Sequence, residues 1–239
     1  MPNDFEAVSE TVSETISEAE SKLVVTETPE FVPESVPESV LGKARYFLHV
    51  GCGSARPERL PACFRDAGWN EIRLDIDPSV QPHILASITD MKMIADGWID
   101  AIWSSHNLEH LNGYEVPLAL NEFARVLKPE GFVLLNMPDL RAIARHILAD
   151  NVGNPLYLSE VGAITPLDML FGHQRSLQDG HHYMAHRTGF TATTLGACLL
   201  EAGFAEVRVV EGSRWDLWAI ASMSEFSESL LETLAAVTP

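Results

Sequence analysis

Cysteine is scarce in this chain. Only Cys52, Cys63 and Cys198 occur, and they are scattered. An odd, widely spaced set makes neither a disulfide framework nor a metal-ligand pattern, so reduced thiols, a cytoplasmic setting and no bound metal are expected. Positive charge is also scarce. Lys and Arg number 16 against 34 Asp and Glu, for a formal net charge of −18. No basic stripe exists, which disfavours nucleic acid and anionic membrane as partners. No run of 18 apolar residues is present, so no membrane span is expected. The acidic start lacks a basic segment followed by an apolar one, so no signal peptide is expected.

The chain does contain an acidic, repetitive beginning and a patterned body. Residues 1–42 carry ten acids and one base, with "SETVSETISEAES" and "VPESVPES" as imperfect repeats. Such a composition buries too little apolar surface to offset ordering entropy, so a disordered acidic tail is expected over 1–42. A folded domain is expected over 43–223, with an insertion at 151–190. A C-terminal helix or tail follows at 224–239.

Strands and helices alternate through the body. "RYFLHV" (45–50), "EIRLDI" (71–76), "PHILAS" (82–87), "DAIWSS" (100–105) and "GFVLLNMP" (131–138) read as five strands. In "YEVPLALNEFARVLKPEG", Leu118, Leu120, Phe123, Val126 and Leu127 recur at helical spacing. Lys128 is expected in the last turn of that helix, with Pro129 and Gly131 ending it. "DLRAIARHILAD" predicts a helix capped by Asp139, and "TATTLGACLLEAGF" (191–204) another capped by Thr191 or Thr193. "AEVRVVEG" and "WDLWAIASM" are separated by too short a turn for a parallel crossover, so they form an antiparallel hairpin. The expectation is an α/β fold: a seven-stranded, mostly parallel, Rossmann-like sheet ending in an antiparallel pair.

Ligands of open α/β sheets bind beyond the carboxyl ends of the strands. The residues there are informative. Gly51-Cys52-Gly53 follow strand one, and glycine lets a backbone approach a ligand closely. Asp75 and Ile76 end strand two, and a carboxylate there can accept from ribose hydroxyls. Asp90 and Met91 follow strand three: a carboxylate for an exocyclic amine, beside a flexible apolar side chain for a ring face. Ser104-Ser105-His106 follow strand four. A dinucleotide fingerprint would need glycine where Arg56 stands, which argues against NAD. No Tyr-x-x-x-Lys pair supports NAD either; Arg187 stands four residues after Tyr183.

The segments "VGCGSA", "RLDIDP", "ITDM", "WIDAIWSSHNLEHL" and "EFARVLKPEGFVLLNMPDL" resemble the motifs of class I S-adenosylmethionine (SAM)-dependent methyltransferases, in the methyltransferase type 11 branch. The resemblance covers about residues 44–222. It implies that Gly51, Cys52 and Gly53 turn around the methionine part of SAM, and that Asp75 binds the ribose hydroxyls. It sets Ile76 against the adenine, with Asp90 and Met91 at the adenine edge and Ser105 nearby. Two positions depart from the family pattern: His49 replaces an acid, and Ala55 replaces a third glycine.

Methyl transfer needs in-line placement and a route for a proton. "HNLEHL" puts His106 and His110 four residues apart, on one face if the segment is helical. His106 is the first candidate for proton acceptor; a divalent-ion site, which some methyltransferases with an E-x-x-E-H segment carry there, is not expected, because His106 stands in place of the first Glu and a fourth ligand would have to come from elsewhere. The resemblance implies that the insertion at 151–190 caps the acceptor pocket; it adds His173, His181, His182 and His186, of which His182 is the second candidate. An acceptor at oxygen or nitrogen of a small molecule or saccharide is expected. The alternatives are a non-catalytic binding module of the same fold and an NAD-binding oxidoreductase.

Overall fold

The computed structural model describes residues 44–65 and 68–237. The acidic segment expected over 1–42 lies outside them. Nine strands, in chain order, are β1 (Arg45–Val50), β2 (Trp69–Asp75), β3 (Ile84–Leu85), β4 (Ile99–Ser105), β5 (Leu127–Pro138), β6 (Tyr157–Ser159), β7 (Gly162–Ile164), β8 (Glu206–Glu211) and β9 (Asp216–Ser222). The α-helices are α1 (Ala62–Arg65), α2 (Val116–Val126), α3 (Leu140–Leu148), α4 (Pro166–Phe171), α5 (Gln174–Gln178), α6 (Ala192–Glu201) and α7 (Glu228–Val237).

Seven strands form one sheet in the order β3-β2-β1-β4-β5-β9-β8. The first five run parallel, while β9 is antiparallel to both β5 and β8. That is the expected mostly parallel sheet with a terminal antiparallel pair. The insertion holds its own two-stranded hairpin, β6-β7.

Period-two alternation sends side chains to two covered faces. Leu48 and Val50 of β1, Ile102 of β4 and Val133 and Leu135 of β5 face one core, against Ala119, Leu120 and Phe123 of α2 and Leu195 and Leu199 of α6. Phe47, Ala101, Trp103, Phe132 and Leu134 face the other, with Phe64 of α1. There Phe47 stacks on Phe64 at 4.5 Å between ring centroids. Phe226 and Leu230 pack against that second core, so α7 docks on this domain.

Two local expectations are corrected. Helix α2 stops at Val126, and Lys128 lies in β5 with its ammonium 2.6 Å from Asp100 rather than in a last helical turn. Leu127 is taken by the sheet through its pairing with Ile99, and the register slips before Phe132 pairs with Ala101. The "LEH" segment is only a short 3-10 turn, Leu108–His110, and His106 has φ +49° ahead of it. His106 and His110 therefore do not share a helical face.

Candidate functional site

The strand ends β1, β2 and β4 open onto a narrow cleft of about 100 Å³ lined by Gly51, Asp75, Ile76, Ser87, Ile88 and Asn107, among others. Gly51 (φ +59°) and Gly53 (φ +55°) both adopt the left-handed conformation that favours glycine. A Cβ on Gly51 would lie 2.7 Å from Asn107 Cγ, whereas a Cβ on Gly53 would meet open space. The turn is wired to β2. Gly53 N–H donates to Asp75 Oδ2 at 2.8 Å, and Asp77 N–H donates to Asp75 Oδ1 at 2.9 Å. Each Asp75 oxygen keeps a further lone pair for a ligand. Arg73, nearly buried, donates to the carbonyls of Gly53, Val80 and Gln81, fastening the glycine turn to the turn after β2.

The cleft has two features of a binding site. Ile76 is an apolar side chain left 57% exposed beside Asp75. The Nδ2 of Asn107 is buried without a hydrogen-bond partner. A buried donor of this kind calls for a partner. Cys52 is a different matter: burial pushes its thiol up to about 11, so its side chain is inert near neutrality and only its backbone can serve a ligand. His49, the departure from the family pattern, sits 2.7 Å from Glu71 on β2, so a neighbouring strand supplies an acid at this position.

Asp90 and Met91 are corrected. Strand β3 is two residues long, and the chain turns inward after it. Met91 is fully buried in the core, and Asp90 is exposed and pairs with Lys92 at 3.1 Å. Neither lines the cleft; Ser87 and Ile88 stand there instead. Ser105 closes β4 beside Asn136 of β5 and is likewise absent from the lining. The segment of Asp90 and Met91 is held by two residues that the sequence reading did not single out. Glu122 accepts from Met91 N–H at 2.5 Å, and Arg125 donates to the carbonyls of Met91 and Ile94. Their i,i+3 spacing on α2 was the one available clue.

A second cleft, of about 370 Å³, is lined by His106, Asn136, Tyr157, Met169, Asp216 and Trp218, among others. Asp216 is held by Asn136 Nδ2 at 2.9 Å and by the Trp218 indole at 3.0 Å. His106 Nδ1 lies 3.2 Å from Oε1 of the buried Glu109. The His106 side chain is 45% exposed, so desolvation acts on one edge. That desolvation pulls its pKa down, but the hydrogen bond and charge of Glu109, aided by Asp216, reverse the effect and the net shift is upward. Burial pushes Glu109 up, yet the three histidines His106, His110 and His186 outweigh it and hold Glu109 ionised.

The insertion reaches both clefts, with Tyr183 and Arg187 in the first and Tyr157 and Met169 in the second. Tyr183 donates to Asp77 at 3.1 Å. His182, the second catalytic candidate, is exposed and lines neither cleft, so the geometry separates it from His106. His173 bonds Ser176, and His181 bonds Tyr183. Only His186 of the insertion histidines packs against the "LEHL" turn, its ring 4.9 Å from that of His110.

Residues 48–135 match the family model described as a methyltransferase domain. No curated protein matches the chain. Solved structures similar to it include a SAM dependent methyltransferase from Archaeoglobus fulgidus, 14% identical over 77% of this chain and 88% of that one, with a TM-score of 0.49. Another is the 1,6-didemethyltoxoflavin-N1-methyltransferase of Burkholderia thailandensis, 15% identical over 94% of this chain and 92% of that one, with a TM-score of 0.46.

Proposed function

We propose that this chain, whose residues 48–135 match a methyltransferase domain, is an S-adenosylmethionine-dependent methyltransferase acting on oxygen or nitrogen of a small molecule or saccharide. The observation that carries the reading is the cleft at the ends of β1, β2 and β4, with its left-handed glycines, its Asp75 carboxylate and its unpartnered Asn107 amide. SAM, when bound, supplies an electrophilic methyl group on a sulfonium. The protein's part is to hold the cofactor, orient the acceptor and take up a proton.

In this reading the backbone of Gly51, Cys52 and Gly53 lies along the methionine part. Asp75 accepts from the ribose hydroxyls, and Ile76 with Ile88 covers the adenine. Asn107 Nδ2 donates to an acceptor atom of the cofactor. The second cleft takes the methyl acceptor, and His106, poised by Glu109, receives its proton. Asp216 and Asn136 supply the polar contacts that a hydroxyl- or amine-bearing acceptor needs.

Three measurements test this. SAM or S-adenosylhomocysteine is expected to raise the melting temperature of the wild-type chain, because a ligand that binds only the folded state stabilises it. Absence of a shift at millimolar cofactor would refute the reading. Asp75→Ala is expected to abolish that shift while leaving the fold intact by circular dichroism; an unchanged shift would remove Asp75 from the ribose contact. His106→Ala is expected to lower kcat by roughly 100-fold, the low end for loss of a general base, and to leave the cofactor-induced shift unchanged.

A further inference from the structure

One buried carboxylate in this molecule is surrounded by more imidazole than a single ion pair requires. Glu109 is 1% exposed, and its Oε1 is engaged by His106. Its Oε2 is buried and has no hydrogen-bond partner. Leaving such an oxygen unpaired costs its full desolvation, so a missing partner is implied. Around Glu109, one ligating atom each from Glu109, His110 and His186 lie within 4.8 Å of one another.

The two imidazoles are oriented alike. His110 Nδ1 faces the Ala185 carbonyl at 3.2 Å, and His186 Nδ1 faces the Met169 carbonyl at 2.8 Å. A carbonyl only accepts, so each Nδ1 carries the proton and donates. That leaves the Nε2 lone pair of both rings free. A backbone carbonyl on the far nitrogen is the arrangement that fixes tautomer and ring direction in metal-ligating histidines.

The backbone around them is also fixed. Arg187 N–H and Thr188 N–H donate to the Glu109 carbonyl at 2.8 and 3.2 Å, and Arg187 Nη1 donates to the His110 carbonyl at 3.1 Å. The segment carrying His186 is therefore tied to the turn carrying Glu109 and His110. The ligand set is assembled by contacts that do not need an ion.

We propose that Glu109, His110 and His186 form a binding site for a divalent first-row transition-metal ion. Two imidazoles and one carboxylate suit zinc, iron(II), manganese or cobalt rather than magnesium or calcium, which prefer all-oxygen shells. The three protein ligands leave coordination positions for water or for a heteroatom of a small molecule. His110 lines the first cleft, and His106, on the same carboxylate, lines the second. The site thus stands in the wall between them. The expectation that the chain holds no metal, drawn from cysteine spacing and from the linear "HNLEHL" segment, missed it because His186 comes from the insertion.

The test needs no methyl-transfer activity, so its outcome is independent of the proposed reaction. The full chain, stripped by chelator and desalted, is titrated with cobalt(II), followed by visible absorption and by calorimetry, with zinc(II) as competitor. One ion per chain is expected, displaced by zinc and not by excess magnesium. His110→Ala and His186→Ala are each expected to weaken binding by at least about 100-fold, since even outer-sphere partners of metal ligands reach that range. His181→Ala/His182→Ala, which alters the exposed histidines, is expected to bind as the wild type does. Circular dichroism of the stripped variants checks folding, and His186→Asn serves if His186→Ala misfolds. The proposal is overturned if the wild type takes up no stoichiometric cobalt or zinc. It is also overturned if binding survives folded His186 variants, or is lost in the His181/His182 variant instead.

Discussion

The two glycines of the turn after β1 have the same backbone conformation and different surroundings, so their substitutions separate strain from fit. Alanine at either position costs about 1–2 kcal/mol for the left-handed backbone. At Gly51 the added Cβ also drives into Asn107 Cγ, 2.7 Å away, and moves the unpartnered amide. At Gly53 it enters open space. Gly51→Ala is therefore expected to lower stability more than Gly53→Ala, by urea denaturation. Gly53→Ala is expected to fold and yet lose SAM affinity, because in the proposed reading the open space its Cβ enters is the one the cofactor would use to approach the backbone. Equal stability losses in the two variants would contradict the role given to Asn107. The turn was legible in the sequence because its glycines follow an apolar strand and acids fall at the next strand ends in order; the glycine pair alone is a weak signal. Asn107 was not, since nothing about an asparagine before "LEHL" says that it fills the space a side chain at Gly51 would need.

At the scale of elements, α2 does more than cover the sheet. Its Arg125 donates to both oxygens of Glu122, to Asp96 and to two backbone carbonyls of the 91–94 segment. The Arg125 hydrogen bond holds the Glu122 carboxyl below its ordinary value, against the opposing effect of burial. A carboxyl whose folded pKa lies below its unfolded one stabilises the fold fully above the unfolded value, 4.5 here, and less as pH falls through the folded value. Arg125→Ala is expected to cost roughly 2 kcal/mol at about pH 7, the scale of a hydrogen bond to a charged group. It should also flatten the acid limb: the stability lost between about pH 5 and about pH 3 shrinks relative to wild type. Urea denaturation at those pH values reads both effects. Strand and helix positions were largely legible from hydrophobic period. The ends were not, because tertiary pairing decides them. Leu127 continues the helical pattern of α2 but is captured by Ile99 of β4. Asp90 and Met91 have the residue types of an adenine edge, yet a two-residue β3 turns the chain inward and buries Met91.

For the domain as a whole, the insertion is the part the sequence marked as functional without saying how it is held. Its two ends are held by different physics. At the hairpin end, Glu160 between β6 and β7 pairs with Arg56 and Arg59, all exposed. Arg56 is the residue that replaces the third glycine of a dinucleotide fingerprint, so that departure now has a structural use. At the other end, Arg187 and Thr188 donate backbone hydrogens to Glu109, and Phe190 is buried and accepts from Leu140 N–H. Exposed ion pairs weaken when salt shortens the Debye length to ~3 Å near 1 M; hydrogen bonds between backbone groups, which carry no net charge, do not. The hairpin end should therefore open first. Hydrogen exchange at about 0.05 M and about 1 M salt is expected to speed the amides of 157–164 and leave those of 187–190 unchanged. Tyr183 and Arg187, toward the fixed end, stand in the first cleft, and Tyr157, at the hairpin end, lines the second. The end that releases is therefore the one over the second cleft, and Glu160→Gln is expected to bring exchange at 157–164 in about 0.05 M salt up to the wild-type rate in about 1 M salt, while leaving the melting temperature of the free protein unchanged. Exchange at 157–164 insensitive both to salt and to Glu160→Gln would mean that these ion pairs do not hold the hairpin over the second cleft.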